Sequence, residues 1–128
     1  MKITSFNPLI LTKDADSKIQ LFEEMGFEKR HCITIDESGT DITTVRMKNA
    51  DGFYVDISQS DEMQKDMMMI RMNVRDFEEA YQFLLSRGFQ NPRGEEHQIE
   101  TRTNKSACLI APSGFAFNLC QHIKENQE

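Results

Sequence analysis

One acid stands out by its setting. In Phe53-Tyr54-Val55-Asp56-Ile57-Ser58 apolar and polar residues alternate, so a strand sends Phe53, Val55 and Ile57 to one face and Tyr54, Asp56 and Ser58 to the other. Asp56 is then the single carboxylate on its face. Such a group can serve as a general base or as an anion that orients a ligand. The simpler reading is an ion pair, and the simpler reading is preferred. Arg71 is a natural partner, because Ile70, Met72 and Val74 form the apolar face of a later strand and leave Met69, Arg71 and Asn73 on the opposite one. Arg71 and Asn73 could instead receive an anionic or amide-bearing ligand, since a guanidinium grips carboxylates and phosphates through two parallel donors. Arg46 and Arg102 lie on middle strands whose register the sequence leaves open.

Other reactive groups carry less. Tyr54 either stacks on a ligand or closes a rim. Met63, Met67, Met68, Met69 and Met72 cluster in sequence, a composition that suits an adaptable binding surface, although core packing comes first for Met68 and Met72. His31, His97 and His122 fall at strand edges or in the tail with no shared face. Cys120 has no identifiable base and reads as packed. Neither a Ser-His-Asp order nor a phosphate-cradling glycine loop is present.

The elements that must position these groups repeat at a spacing of 62 residues, which carries Asp14 onto Asp76, Gln20 onto Gln82, Gly26-Phe27 onto Gly88-Phe89, Gly52-Phe53 onto Gly114-Phe115 and Gln59 onto Gln121. Each copy opens with a strand, at 7–13 and 69–75, followed by a helix that Asp14 or Asp76 caps. Glu79, three residues after Asp76, has the spacing of a capping box. Ala15, Ile19 and Phe22, and Phe77, Ala80, Tyr81 and Leu84, recur at helical spacing. Gly26 and Gly88 end the helices, with Phe27 and Phe89 packing back on the last turn. Three strands follow in each copy, predicted over 31–35, 42–48 and 53–58, then 98–102, 106–111 and 115–120. Gly39 and Asn104-Lys105 supply turns between middle strands, and Asp51-Gly52 and Pro112-Ser113-Gly114 supply them before the last. In the last strand of the second copy Phe115, Phe117 and Leu119 face the helix, and Ala116, Asn118 and Cys120 face away.

At 128 residues the chain reads as one domain of two modules, about 3–59 and 67–121, joined by a polar connector at 60–66. With 28% charged residues and 38% hydrophobic ones, it reads as globular and water-soluble. The net charge of −6, with no dense run of Lys or Arg, argues against nucleic-acid binding. The longest apolar runs, Leu9-Ile10-Leu11 and Met67-Met68-Met69-Ile70, are too short to span a bilayer, and the N-terminal residues lack the apolar core of a signal peptide. Cys32, Cys108 and Cys120, an odd number with no CxxC pair, predict a reducing cytoplasm with all three as small buried hydrophobes.

A doubled β-α-β-β-β unit with Asp opening each helix and Gly-Phe closing it resembles the vicinal oxygen chelate superfamily, which includes glyoxalase I, bleomycin-resistance proteins and extradiol dioxygenases. The resemblance runs from about Ile3 to Gln121. It is carried by Thr12-Lys13-Asp14-Ala15-Asp16-Ser17 through Met25-Gly26-Phe27, and by Pro112-Ser113-Gly114-Phe115-Ala116-Phe117-Asn118-Leu119, which looks like the family's closing strand. It implies an α+β fold in which two β-α-β-β-β modules form a cupped mixed sheet with helices on the outer face, and it implies a homodimer. In the family's metalloenzymes the first and last strand of each module hold a divalent metal. Those positions fall on Asn7, Asp56, Met69 and Asn118. Two neutral amides, a soft thioether and one carboxylate are a poor set for a hard cation, so no metal or other cofactor is expected. The resulting expectation is a metal-free protein of the bleomycin-resistance type. It would bind a small amphipathic or aromatic molecule through Asn7, Leu9, Tyr54, Asp56, Met69, Arg71, Asn73 and Asn118. The alternative is a metal-dependent lyase, isomerase or dioxygenase with an atypical site centred on Asp56, the best catalytic candidate.

Overall fold

The structure, a computed structural model, describes residues 1–37, 40–100 and 104–122, with only the backbone described at 33–37 and 40–42. Two compact units emerge: Asn7–Met69, and Ile70–Glu128 together with Met1–Phe6. The first is built from β1 (Ile3–Thr12), α1 (Ala15–Glu24), β2 (Glu28–Glu37), β3 (Thr40–Lys48) and β4 (Tyr54–Gln59). The second is built from β5 (Met67–Val74), α2 (Phe77–Ser86), β6 (Ile99–Glu100), β7 (Asn104–Ile110) and β8 (Ala116–His122). Each is a β-α-β-β-β module, as the repeat predicts, and the class is α+β, as the family resemblance implies. Strand order is β2-β3-β4-β1 in one and β6-β7-β8-β5 in the other. In both, the outer pairs are antiparallel and the first strand joins the last in parallel, giving a mixed sheet. The start of β1 belongs with the second unit, where the Lys2 carbonyl accepts from the Arg75 amide at 2.9 Å. No helix among the described residues is long and apolar enough to cross a membrane.

The 62-residue repeat survives down to single hydrogen bonds. Asp14 accepts from the Ser17 amide at 3.2 Å and Asp76 from the Glu79 amide at 3.1 Å, each satisfying a donor the helix start would leave open. The side-chain carbonyls of Gln59 and Gln121 accept from the Ala15 and Phe77 amides at 2.9 and 2.8 Å. At the other end Gly26 and Gly88 take positive φ values of 103° and 93°, which a side chain would strain. The Phe27 and Phe89 amides then donate to the Phe22 and Leu84 carbonyls, and those of Gly26 and Gly88 to Glu23 and Leu85, a Schellman end on both helices.

Each module has its own core, on the face its helix covers. Ala15, Val45, Met47, Val55 and Ile57 are buried in the first, with Ile10, Ile19, Phe22 and Phe27 packed against them. Adding 62 to each of those nine numbers gives Phe77, Ala107, Leu109, Phe117, Leu119, Met72, Tyr81, Leu84 and Phe89, all members of the second core.

Several expectations need correction. Phe53 is 67% exposed, because its amide and carbonyl bond Asn49 to close the β3–β4 turn before the strand begins. Asn104 and Lys105 are not a turn: they lie in β7 opposite His122 and Gln121, where sheet pairing overrides the turn preference of Asn. Of the strand predicted over 98–102 only Ile99–Glu100 is seen, and residues 101–103, Arg102 among them, lie outside the described residues, as does Gly39. Cys32 is exposed rather than buried, since β2 is the outer strand and α1 packs on β4; Cys108 is half-buried and Cys120 buried. Met72 is core but Met68 is 70% exposed near the start of β5.

Candidate functional site

Strand alternation gives the strands of each module a second face, away from its helix core. In the first module the register sets Arg46 beside Asp56 and Asp56 beside Leu9, with Lys48 beside Tyr54 and Thr44 beside Ser58. Asn7, two residues before Leu9 on β1, reaches the same face. Asp56 is 1% exposed, a burial that a carboxylate tolerates only when its lone pairs are met. They are met closely. Arg46 grips it with Nε to Oδ1 at 2.9 Å and Nη2 to Oδ2 at 3.0 Å, a bidentate pair. Asn7 Nδ2 donates to the same Oδ2 at 3.0 Å and to the Pro8 carbonyl at 2.9 Å, while Asn7 Oδ1 accepts from Arg46 Nη2 at 3.1 Å. Three side chains from three strands thus form a closed ring of charge-assisted bonds.

Around this ring the face is mixed. Leu9 is buried beside Asp56, and the Thr44 and Ser58 hydroxyls share a bond of 2.6 Å. Tyr54 is 37% exposed at the edge, with Arg46 Cζ 5.2 Å and Lys48 Nζ 5.4 Å from its ring centroid.

Among the described residues, the corresponding face of the second module sets Arg71 among neutral groups. Arg71 sits opposite Asn118, and Asn118 opposite Cys108; Asn73 sits opposite Cys120. Arg71 and Met69 are buried, and the Cys120 thiol donates to Asn118 Oδ1 at 3.1 Å. Sixty-two residues beyond Asn7, Arg46 and Asp56 stand Met69, Cys108 and Asn118. The ring is therefore built once, although its positions exist twice.

The structure thus brings Asn7 and Asp56 into contact, places Leu9 and Tyr54 beside them, and gathers Arg71, Asn73 and Asn118 on the second module. Asp56 makes an ion pair, but the partner in the structure is Arg46, on the neighbouring strand in register, whereas Arg71, the partner expected from sequence, belongs to the second module. The register of Arg46 is open in the sequence, but its face is legible there: Val45 and Met47 are apolar, so Arg46 between them faces away from the core. A surface cleft of about 390 Å³ near Gly88, Gln90 and Pro112 is lined, among the described residues, by no titratable side chain.

The ring also bears on the metal that such positions hold in metalloenzymes. Both Asp56 oxygens and the Asn7 oxygen already accept N–H donors, and the group that donates most is itself a cation. A divalent ion would have to displace a guanidinium from a buried carboxylate. In the second module Asn118 Oδ1 accepts from a thiol and Met69 offers only sulfur. Among the described residues no three His, Cys, Asp or Glu side chains are gathered to hold a metal. The donor set does not fit a hard divalent cation.

No family model and no curated protein matches the sequence. Solved structures do match. A glyoxalase/bleomycin resistance protein/dioxygenase superfamily member from Vibrio splendidus 12B01 superposes with a TM-score of 0.60 at 18% identity, covering 95% of this chain and 100% of that one. This is the vicinal oxygen chelate fold. A glyoxalase I variant from Zea mays shares the fold at a TM-score of 0.66 and 13% identity over 94% of this chain, and a catechol 2,3-dioxygenase at 0.55 and 10% over 99%. The chain spans 44% and 48% of the length of those two enzymes. At such identities the likeness is one of fold, and the vicinal oxygen chelate architecture here carries its own side chains at the positions that matter.

Proposed function

We propose that this protein binds a small amphipathic or aromatic molecule in the manner of the bleomycin-resistance branch of the fold, without a metal. One observation carries the reading: the Asn7–Arg46–Asp56 ring, which supplies an internal cation where a metal-dependent relative would need an external one. Within the second module Arg71 and Asn73 suit a ligand with hydrogen-bond acceptors; within the first, Leu9 and Tyr54 suit an apolar one. The same reading makes the protein a cytoplasmic homodimer. Three free cysteines favour a reducing compartment.

The experiment is a thermal-melt screen against a library of small aromatic and amphipathic compounds. A saturable upward shift that shrinks in Arg71→Ala is expected. A library with no stabilising compound, together with stabilisation by a divalent metal, would contradict the reading.

A further inference from the structure

We infer that the face of the first module selects for negative charge, taking an aromatic ligand that carries a carboxylate or phosphate, with Lys48 and Tyr54 as its recognition pair. This rests on the small-molecule reading above and narrows it. Lys48 and Tyr54 are register partners on β3 and β4, and Lys48 Nζ stands over the half-exposed ring at 5.4 Å. Arg46 stands over the same ring at 5.2 Å, so one aromatic side chain gathers two cations. Their charges are matched differently. Asp56 answers Arg46 directly. No described carboxylate makes an ion pair with Lys48, and Glu28, its register neighbour on β2, lies 4.0 Å from Arg30 instead.

The duplication provides an internal control. Sixty-two residues beyond Arg46, Lys48 and Tyr54 stand Cys108, Ile110 and Ala116, on the same strands in the same register. The module folds with neutral, non-aromatic residues at all three positions, so the cation–aromatic group is not a requirement of the scaffold. In a chain of net charge −6, a local ammonium fixed on an exposed ring is a place where an anion gains and a cation does not.

Four probes of similar size test this by titration calorimetry: benzoate, phenyl phosphate, neutral benzamide and cationic benzylamine. Benzoate or phenyl phosphate is expected to bind at least about tenfold more tightly than benzamide, with affinity falling as salt rises. The tighter of the two anions assigns the group as carboxylate or phosphate. Lys48→Met keeps the aliphatic stem and removes the charge; it is expected to lose most of that preference, with its circular dichroism unchanged. Equal binding of benzamide and benzoate, or an unchanged preference in Lys48→Met, would overturn the charge selection and leave the small-molecule reading standing. Binding of none of the four probes also overturns it; a metal-induced rise in melting temperature in the same samples would take the underlying reading with it.

Discussion

Arg46→Ala is expected to destabilise the protein by about 3 kcal/mol or more, because it takes the bidentate partner from a buried carboxylate. The asymmetry of the pair sharpens the expectation. Asp56 is 1% exposed and cannot turn to water, whereas the Arg46 side chain is 25% exposed and can. Asp56→Asn should therefore cost less, about 1–2 kcal/mol, as the amide still accepts one bond and the guanidinium regains solvent. A paired change to apolar residues, Arg46→Met with Asp56→Leu, should come closer to neutral than either single change, since it removes both charges from a site that had to desolvate them. Denaturant midpoints at constant slope read all three. A larger loss in Asp56→Asn than in Arg46→Ala would contradict the picture of the arginine as the solvent-reachable member.

Phe77→Ala is expected to cost about 3–5 kcal/mol by the same measurement. Phe77 has no exposed surface, stacks on Tyr81 at a centroid distance of 5.3 Å, and lies under Lys105. The repeat explains why the slot cannot simply close. Its counterpart in the first core is Ala15, which shares that core with Val45; in the second core Phe77 shares with Ala107. The modules trade bulk between helix and sheet, so an alanine in the second helix would face an alanine in its sheet and leave a cavity. A loss below about 1 kcal/mol would mean that the two cores are not solved in this complementary way.

Much of this fold was legible because its marks are local. Asp14, Asp76, Gly26-Phe27 and Gly88-Phe89 each satisfy helix-end groups within a few residues, and such marks keep their meaning wherever the module sits. Positions that depend on a partner strand were harder. Asn104 and Lys105 look like a turn until β8 is known to pair with them. Phe53 looks like core until Asn49 is seen to hold it in the turn. In both cases a long-range or loop contact outweighs a local preference.

The site divides the same way. Alternation along β4 isolates Asp56, the repeat carries it onto Asn118, and the family resemblance adds Asn7. What sequence could not give was the choice of cation, since that depends on the register between β3 and β4. The pairing of Arg46 with Asp56 in that register turns a weak set of metal ligands into a completed ion pair. The site is thus not short of ligands; it already holds its own cation.

The most direct test is the metal content of the purified protein by elemental analysis, joined to thermal melts against nickel, zinc, manganese and cobalt. With Arg46 already bound to Asp56, the protein is expected to hold no stoichiometric metal and to shift with none of the four. Stoichiometric metal, or a large shift that Asp56→Ala abolishes, would contradict that expectation.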